Sequence, residues 1–152
     1  MEETERLIYQ LDKAHAEMRA ALAGAGPETA ANYAWSVKEL LAHLAGWDAV
    51  TRDALRGHAM GDPPAIPARD GIDAYNAWSV AARQGLSYEQ TLEDWERTRE
   101  ELRQALTAMP AVKLAERLVF PWGPKGTVAR LVAIIAGHEQ EHAHELRAPD
   151  GE

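Results

Sequence analysis

The sequence contains no cysteine, which excludes disulfide bonds and thiolate metal sites and leaves nothing that requires an oxidising compartment. Long apolar runs are also missing, since none approaches the roughly 20 residues that span a bilayer. The N-terminal stretch MEETERLIYQLDK lacks the basic start and apolar run of a signal peptide. We therefore expect a cytoplasmic protein that does not enter a membrane.

Basic charge is scarce as well. The chain has 16 Lys and Arg against 24 Asp and Glu, which gives a formal net charge of -8. Its basic residues alternate with acidic ones, so no basic patch is available to neutralise phosphates. Nucleic acid is therefore not an expected partner. The 152 residues are enough for one domain, 1–152, that buries a hydrophobic core without disulfide cross-links.

Helical spacing of apolar residues is present along nearly the whole chain, and no convincing strand alternation accompanies it. The first series repeats every three or four residues and ends where Gly24, Gly26 and Pro27 break a helix. A second series follows Ser36 and Glu39, which have the spacing of a capping box. These two segments are the first and second predicted helices.

A proline-rich segment, GHAMGDPPAIPARDG, follows the second helix. It predicts a connection of about 14 residues, longer than usual between bundle helices and long enough to cross a bundle. The next region, residues 71–109, is consistent with one helix kinked at Gly85 or with two helices, the second starting at a capping box of Ser87 and Gln90. Thr127 caps the final helix. The pattern predicts an all-α four-helix bundle.

The final helix carries the motif H-E-x-x-H, formed by His138, Glu139 and His142. The two histidines continue, in steps of three or four residues, a line that begins at Val128 and is otherwise apolar. They therefore point inward, where a core would prefer leucine. Buried imidazoles need hydrogen bonds or a metal, so this placement needs a reason.

His43 repeats the pattern on the second helix, where it lies between Leu40 and Trp47 on an apolar face. It lies roughly 10 Å from the start of that helix, while His142 and His138 lie roughly 7 and 13 Å from the end of the last one. If the long crossover makes the second and third helices run the same way, the second and last are antiparallel. His43 is then level with the gap between the other two histidines.

Three such histidines form a facial three-nitrogen site, which suits zinc, nickel, iron or manganese and leaves positions free for water or substrate. His15 borders the apolar line of the first helix and is the alternative third ligand. The remaining histidines, His58 in the loop and His144 off the apolar line, are expected to be ordinary polar residues.

The motif does not predict a zinc protease. A zincin takes its third ligand downstream, but only ten residues follow His142. The longer metzincin pattern requires glycine at the position of Glu145. The missing ligand must therefore come from upstream, as His43 would.

The stretches WSVKELLAHLAGWD and GTVARLVAIIAGHEQEHAHEL together resemble the DinB-like superfamily of metal-binding four-helix bundles. YNAW and TLEDWERTREELRQAL are similar to its ClbS/DfsB-type branch, and the resemblance covers roughly residues 5 to 147. It implies an up-down-down-up bundle with a divalent metal held by His43, His138 and His142. Relatives include S-transferases and isomerases that use mycothiol or bacillithiol, uncharacterised metal hydrolases, and a hydrolase that protects against a genotoxin.

The expected function is that of a metal-dependent enzyme, either a hydrolase or a thiol S-transferase, acting on a small molecule in detoxification or stress response. Three neutral histidines leave the metal its full charge, which activates bound water or a low-molecular-weight thiol. Glu139 and Asp48 are candidates to orient an imidazole or to act as general base. The alternative for both is a solvated carboxylate on a helix face.

Four aromatic residues are candidates to line an apolar pocket above the metal, although tryptophan at helical spacing also suits a core. They are Trp47, Tyr75, Trp78 and Trp122. A non-catalytic metal- or ligand-binding bundle of the same fold is the alternative function. Because such bundles often leave an apolar face exposed, a homodimer is a further expectation.

Overall fold

Helices make up most of the part of the chain that the computed structural model describes, residues 2–32 and 34–147. Four of them are long, with 20 to 24 residues each. In chain order the elements are α1 (Glu3–Leu22), α2 (Val37–Met60), α3 (Ile72–Ala82), α4 (Tyr88–Thr107), α5 (Ala111–Ala115), β1 (Leu118–Val119), β2 (Lys125–Gly126) and α6 (Val128–Arg147). The prediction of a mostly helical fold is confirmed.

The predicted helix starts are present. Ser36 Oγ accepts from the Glu39 amide at 3.2 Å, and Glu39 Oε1 accepts from the Ser36 amide at 3.0 Å. Ser87 and Gln90 form the same reciprocal pair before α4. At α6, Thr127 Oγ1 accepts a backbone hydrogen bond at 3.0 Å. Short polar side chains thus satisfy amides that the first turns of α2, α4 and α6 leave free.

The region 71–109 contains two helices. Helix α3 ends at Ala82, and a turn that includes Gly85 precedes the capping box of α4. Two elements are new relative to the sequence prediction, namely the short helix α5 and the hairpin of β1 and β2. Both are too short to produce a periodic pattern. The hairpin needs glycine at 126, because a Cβ there would overlap the ring of Phe120.

Side-chain pairs fix how the long helices align. Pairs between α2 and α4 advance in the same order along both helices, namely Asp48 with Arg99 and Arg52 with Glu101. Pairs between α1 and α4 advance in opposite orders, namely Asp12 with Arg103 and Arg19 with Glu96. Between α2 and α6, His43 meets His138, which lies midway along α6.

The apolar core has two clusters, and a buried polar layer lies where they meet. The layer has one residue from each long helix: His15, Asp48, Arg99 and Glu139. Along α4, Trp95 belongs to one cluster and Leu102 to the other, with Arg99 between them. On α6 the order along the chain is reversed, because Ala136 belongs to the cluster of Leu102 and Ala143 to that of Trp95, with Glu139 between them.

Candidate metal centre

His43 on α2 meets His138 and His142 on α6, and all three point the same ring nitrogen at one another. The His43 Nε2 to His138 Nε2 distance is 3.1 Å, and the His142 Nε2 to His138 Nε2 distance is also 3.1 Å. One ligand atom from each residue lies within 4.8 Å of the others. The fold thus brings together the three histidines that the sequence singled out as metal ligands.

Hydrogen bonding alone does not account for this convergence. His138 Nε2 carries either one hydrogen or one in-plane lone pair, so it cannot form a full hydrogen bond to both neighbours. Zinc–imidazole bonds of about 2.0–2.1 Å in a tetrahedral site place two ligand nitrogens roughly 3.3 Å apart. The observed separations are close to that spacing, so the donor set fits a divalent cation.

Electrostatics keep the imidazoles in the form that binds a metal. Burial lowers the pKa of His43 to about 3, with the neighbouring histidines adding to the effect. Burial and His142 likewise lower the pKa of His138 to about 4. Both rings are therefore neutral at pH 7, with a lone pair available to a metal. His43 is only 2% exposed, whereas His138 and His142 are partly exposed, so the cluster opens on the α6 side.

Outer contacts hold two of the rings in place. Trp35 packs against the ring of His43, with ring centroids 4.4 Å apart. His142 Nδ1 lies 3.3 Å from Glu145 Oε1, and Asn32 Nδ2 donates to the same oxygen at 3.0 Å. A hydrogen bond from Nδ1 to a carboxylate orients an imidazole for binding through Nε2.

The two candidate catalytic carboxylates lie in the buried polar layer. Glu139 is 1% exposed and accepts hydrogen bonds from Arg99 Nη1 at 2.8 Å and Trp95 Nε1 at 3.0 Å. Asp48 is 2% exposed and accepts from Arg99 Nη2 at 3.2 Å. Within residues 2–32 and 34–147, neither carboxylate is hydrogen-bonded to His43, His138 or His142. They are thus buried ion-pair partners and not solvated carboxylates; a role as general base stays a prediction.

Arg99 is the member of this layer that the sequence interpretation missed. It lies in the charged stretch DWERTREELRQ, which looks like a solvated helix face. A usable signal was present, because Trp95, Arg99, Leu102 and Leu106 follow in steps of three or four residues. The same reasoning that identified His43 therefore applies to Arg99.

The other histidines lie outside the cluster. His15, the alternative third ligand, stacks on Trp95 with centroids 3.9 Å apart and is hydrogen-bonded to Glu96. His58 Nε2 donates to the carbonyl of Lys113 at 2.7 Å, and His144 is exposed. His15 belongs to the polar layer instead, with Nδ1 3.6 Å from Glu139 Oε2.

Three of the four candidate pocket aromatics pack together. The ring of Trp47 lies 4.7 Å from that of Tyr75 and 6.0 Å from that of Trp122. Trp78 is 61% exposed and contacts the outer side of this cluster through Tyr75. That these rings bind a substrate stays a prediction.

Comparison with known proteins gives one family and three structures. The model of the DinB superfamily matches residues 10–146. Two structures of the mycothiol-dependent maleylpyruvate isomerase, one of them a histidine-to-alanine mutant, align with TM-scores of 0.74 and 0.80 at 14% identity over 97% of this chain. This chain covers only 62% of the isomerase chain. An uncharacterised protein from Escherichia coli UTI89 aligns with a TM-score of 0.78 at 20% identity, over 95% of this chain and 90% of its own. None of the curated proteins matches the sequence.

Proposed function

The chain belongs to the DinB superfamily, and on that premise we propose that it is a metal-dependent enzyme that acts on a small molecule in detoxification or stress response. The observation that carries the proposal is the convergence of Nε2 of His43, His138 and His142. These residues would hold zinc, nickel, iron or manganese, with at least one position left for another ligand. The metal would supply Lewis acidity that makes a bound thiol or water a nucleophile at neutral pH.

Of the two chemistries, thiol transfer has the better support. The isomerase that this fold resembles is named for its dependence on mycothiol, and a thiol would approach the cluster from the side of the partly exposed His138 and His142. The isomerase chain is longer than this one, so its substrate is not carried over. Hydrolysis by bound water is the competing chemistry at the same site.

One observation favours the non-catalytic alternative. Arg99 engages both Asp48 and Glu139, and among the described residues neither carboxylate is hydrogen-bonded to the three histidines, so neither stands beside the metal to accept a proton from a bound nucleophile. In that case the bundle would sequester a metal or ligand without turning over a substrate.

The alignment of helices supports an up-down-down-up bundle as the scaffold. If α2 and α4 are parallel and α1 and α6 run opposite to them, the long connection between residues 60 and 72 crosses the bundle. Such an arrangement places His43 opposite the second half of α6 and leaves α3 as an addition to α2.

Metal content is the first test. Protein purified without chelators should contain about one divalent ion per chain by plasma mass spectrometry. His43→Ala and His142→Ala should each lose it, while His144→Ala, a control on the same helix as His142, should retain it. Equal metal content in all variants would mean that His43 and His142 do not bind the metal.

Thiol and water chemistry are separable on the cobalt form. Cobalt(II) loaded into the centre gives a visible spectrum that reports on its ligands. Added mycothiol should produce a sulfur-to-cobalt charge-transfer band in the wild-type protein and none in His142→Ala. A spectrum that changes with pH but not with thiol supports hydrolysis; one that changes with neither supports the non-catalytic alternative.

A further inference from the structure

His43 Nδ1 is a buried nitrogen without a hydrogen-bond partner among the described residues. When an imidazole binds a metal through Nε2, its proton lies on Nδ1, and this N–H almost always donates to an outer acceptor. A buried donor left without an acceptor is unfavourable. A His43 ligand thus requires an acceptor on its outer side, as His142 has in Glu145.

Asn76 on α3 is in position to be that acceptor. Trp47 follows His43 by one helical turn on the same face of α2, and its Nε1 donates to Asn76 Oδ1 at 2.7 Å. Because an indole nitrogen can only donate, this bond fixes the amide with its oxygen toward α2 and leaves that oxygen a second lone pair. Because His43 and Trp47 lie one turn apart on the same face of α2, the same amide oxygen is available to the unpartnered His43 Nδ1.

Helix α3 is held firmly enough to position this amide. The hydroxyl of Tyr75 donates to the Gly46 carbonyl at 2.8 Å, and Ser79 packs so closely that a Cβ at Gly46 would lie 2.7 Å from its Cβ. Tyr75 and Ser79 flank Asn76 along α3. The three residues form one contact face over Gly46 and Trp47, which follow His43 by three and four residues on α2.

We propose that Asn76 is a positioning residue for the metal centre, accepting a hydrogen bond from His43 Nδ1 through the amide oxygen that Trp47 orients. The inference rests on the proposed metal function. With this role of Asn76, α3 supports the metal centre although no residue of α3 is a metal ligand. By thermodynamic reciprocity, metal binding then tightens the docking of α3 onto α2, and loosening α3 weakens metal binding.

The test measures zinc affinity by competition with a chromophoric chelator. Asn76→Leu should weaken zinc binding by roughly 10- to 100-fold, as loss of an outer partner usually does. Asn76→Asp, which keeps an oxygen acceptor, should retain wild-type affinity or exceed it. Trp47→Phe keeps an aromatic ring but frees the amide to rotate, and should give a smaller loss than Asn76→Leu.

A second readout separates positioning from general loosening. In the zinc-loaded wild-type protein, NMR should show a slowly exchanging His43 Nδ1 proton, which Asn76→Leu should lose and Asn76→Asp keep. Tyr75→Phe weakens α3 docking without removing the acceptor, so this proton should persist. Failure of the wild type to bind zinc would refute the metal centre itself. Zinc binding by Asn76→Leu with unchanged affinity and an unchanged Nδ1 signal would refute only the role of Asn76.

Discussion

Arg99 on α4 bonds to each of the other three long helices. It donates to the Leu11 carbonyl at 3.0 Å, to Asp48 at 3.2 Å and to Glu139 at 2.8 Å. One side chain thus joins α1, α2, α4 and α6 in the layer between the two apolar clusters. Buried ion pairs of this kind contribute little net stability but are costly to break, because the remaining charges lose their partner.

Replacing Arg99 should therefore destabilise the protein severely. Arg99→Met leaves Asp48 and Glu139 buried without their counter-charge, and we expect a loss of about 3–5 kcal/mol in the free energy of unfolding. Urea denaturation followed by circular dichroism measures it. The control is Arg103→Met, one turn later, which breaks exposed pairs to Asp12 and Glu100 and should cost less than about 1 kcal/mol. Similar midpoints for the two variants would contradict the structural role of Arg99.

The two carboxylates of the layer do not titrate alike. Burial raises the pKa of Asp48 to about 6, with Arg99 opposing the shift and Glu139 adding to it. Burial would raise the pKa of Glu139 as well, but bonds and charges from His15 and Arg99, helped by Trp95, lower it. Asp48 Oδ2 also has no hydrogen-bond partner among the described residues. Of the two, Asp48 is therefore the group that takes up a proton first.

This asymmetry predicts how stability depends on pH. Between pH 4 and 6 folded Asp48 holds its proton better than the unfolded chain does, so its contribution to stability is present at low pH and is lost as pH rises through about 6. Asp48→Asn imitates the protonated form. The difference in free energy of unfolding between Asp48→Asn and the wild type should therefore shift in favour of the variant by up to about 3 kcal/mol as the pH rises from 4 to 6. Above pH 6 this difference should stay constant. A constant difference between the two proteins from pH 4 to 7 would contradict the raised pKa.

The proximity of the three histidines was easier to predict from the sequence than the polar layer, and the reason lies in residue type. Histidines on an apolar line are conspicuous, so His43, His138 and His142 were found from spacing alone. An arginine among acidic neighbours looks like surface, so Arg99 was missed, and with it the burial of Glu139 and Asp48. The pairing between helices decides which charged residues are buried, and the periodicity within one helix carries no information about that pairing.

At the scale of elements, helix starts were predictable because caps are local. Ser36, Ser87 and Thr127 each bond within three residues of themselves. The docking of α3 was not, because it depends on a contact between Gly46 and Ser79, 33 residues apart in sequence and adjacent only in the fold. Such close approach requires a residue without Cβ on one of the helices.

Two glycines of α2 form a matched pair that tests this contact. Alanine at 46 would place a Cβ 2.7 Å from Ser79, so α3 must move away and the protein should be destabilised. Alanine at 57 meets nothing closer than 3.9 Å and should stabilise the helix by about 0.5–1 kcal/mol. Thermal unfolding compares the two, and hydrogen exchange of α3 amides should rise only in Gly46→Ala. Stabilisation by both substitutions would mean that α3 does not dock closely at Gly46.

At the scale of the whole molecule, the surface and the net charge indicate less about function than the buried residues do. No helix in residues 2–32 and 34–147 has the length and apolarity to cross a membrane. The large exposed hydrophobic side chains come from different parts of the chain, and the homodimer stays a prediction; they are Tyr9, Met60, Ile72, Trp78 and Val112. The net charge of -8 favours the approach of a cation to the histidine cluster.

A metal at the cluster would stabilise the whole molecule, because it links α2 to α6. A ligand that binds only the folded state raises the free energy of unfolding by about 2.7 kcal/mol at a concentration 100 times its dissociation constant. We therefore expect zinc to raise the urea midpoint of the wild type and excess chelator to reverse the gain. His43→Ala should unfold at the same midpoint with and without zinc, whatever its own stability, while His144→Ala should respond like the wild type. A zinc response that survives in His43→Ala would mean that the ion stabilises the protein from another site, because without His43 no ligand of the proposed centre remains on α2.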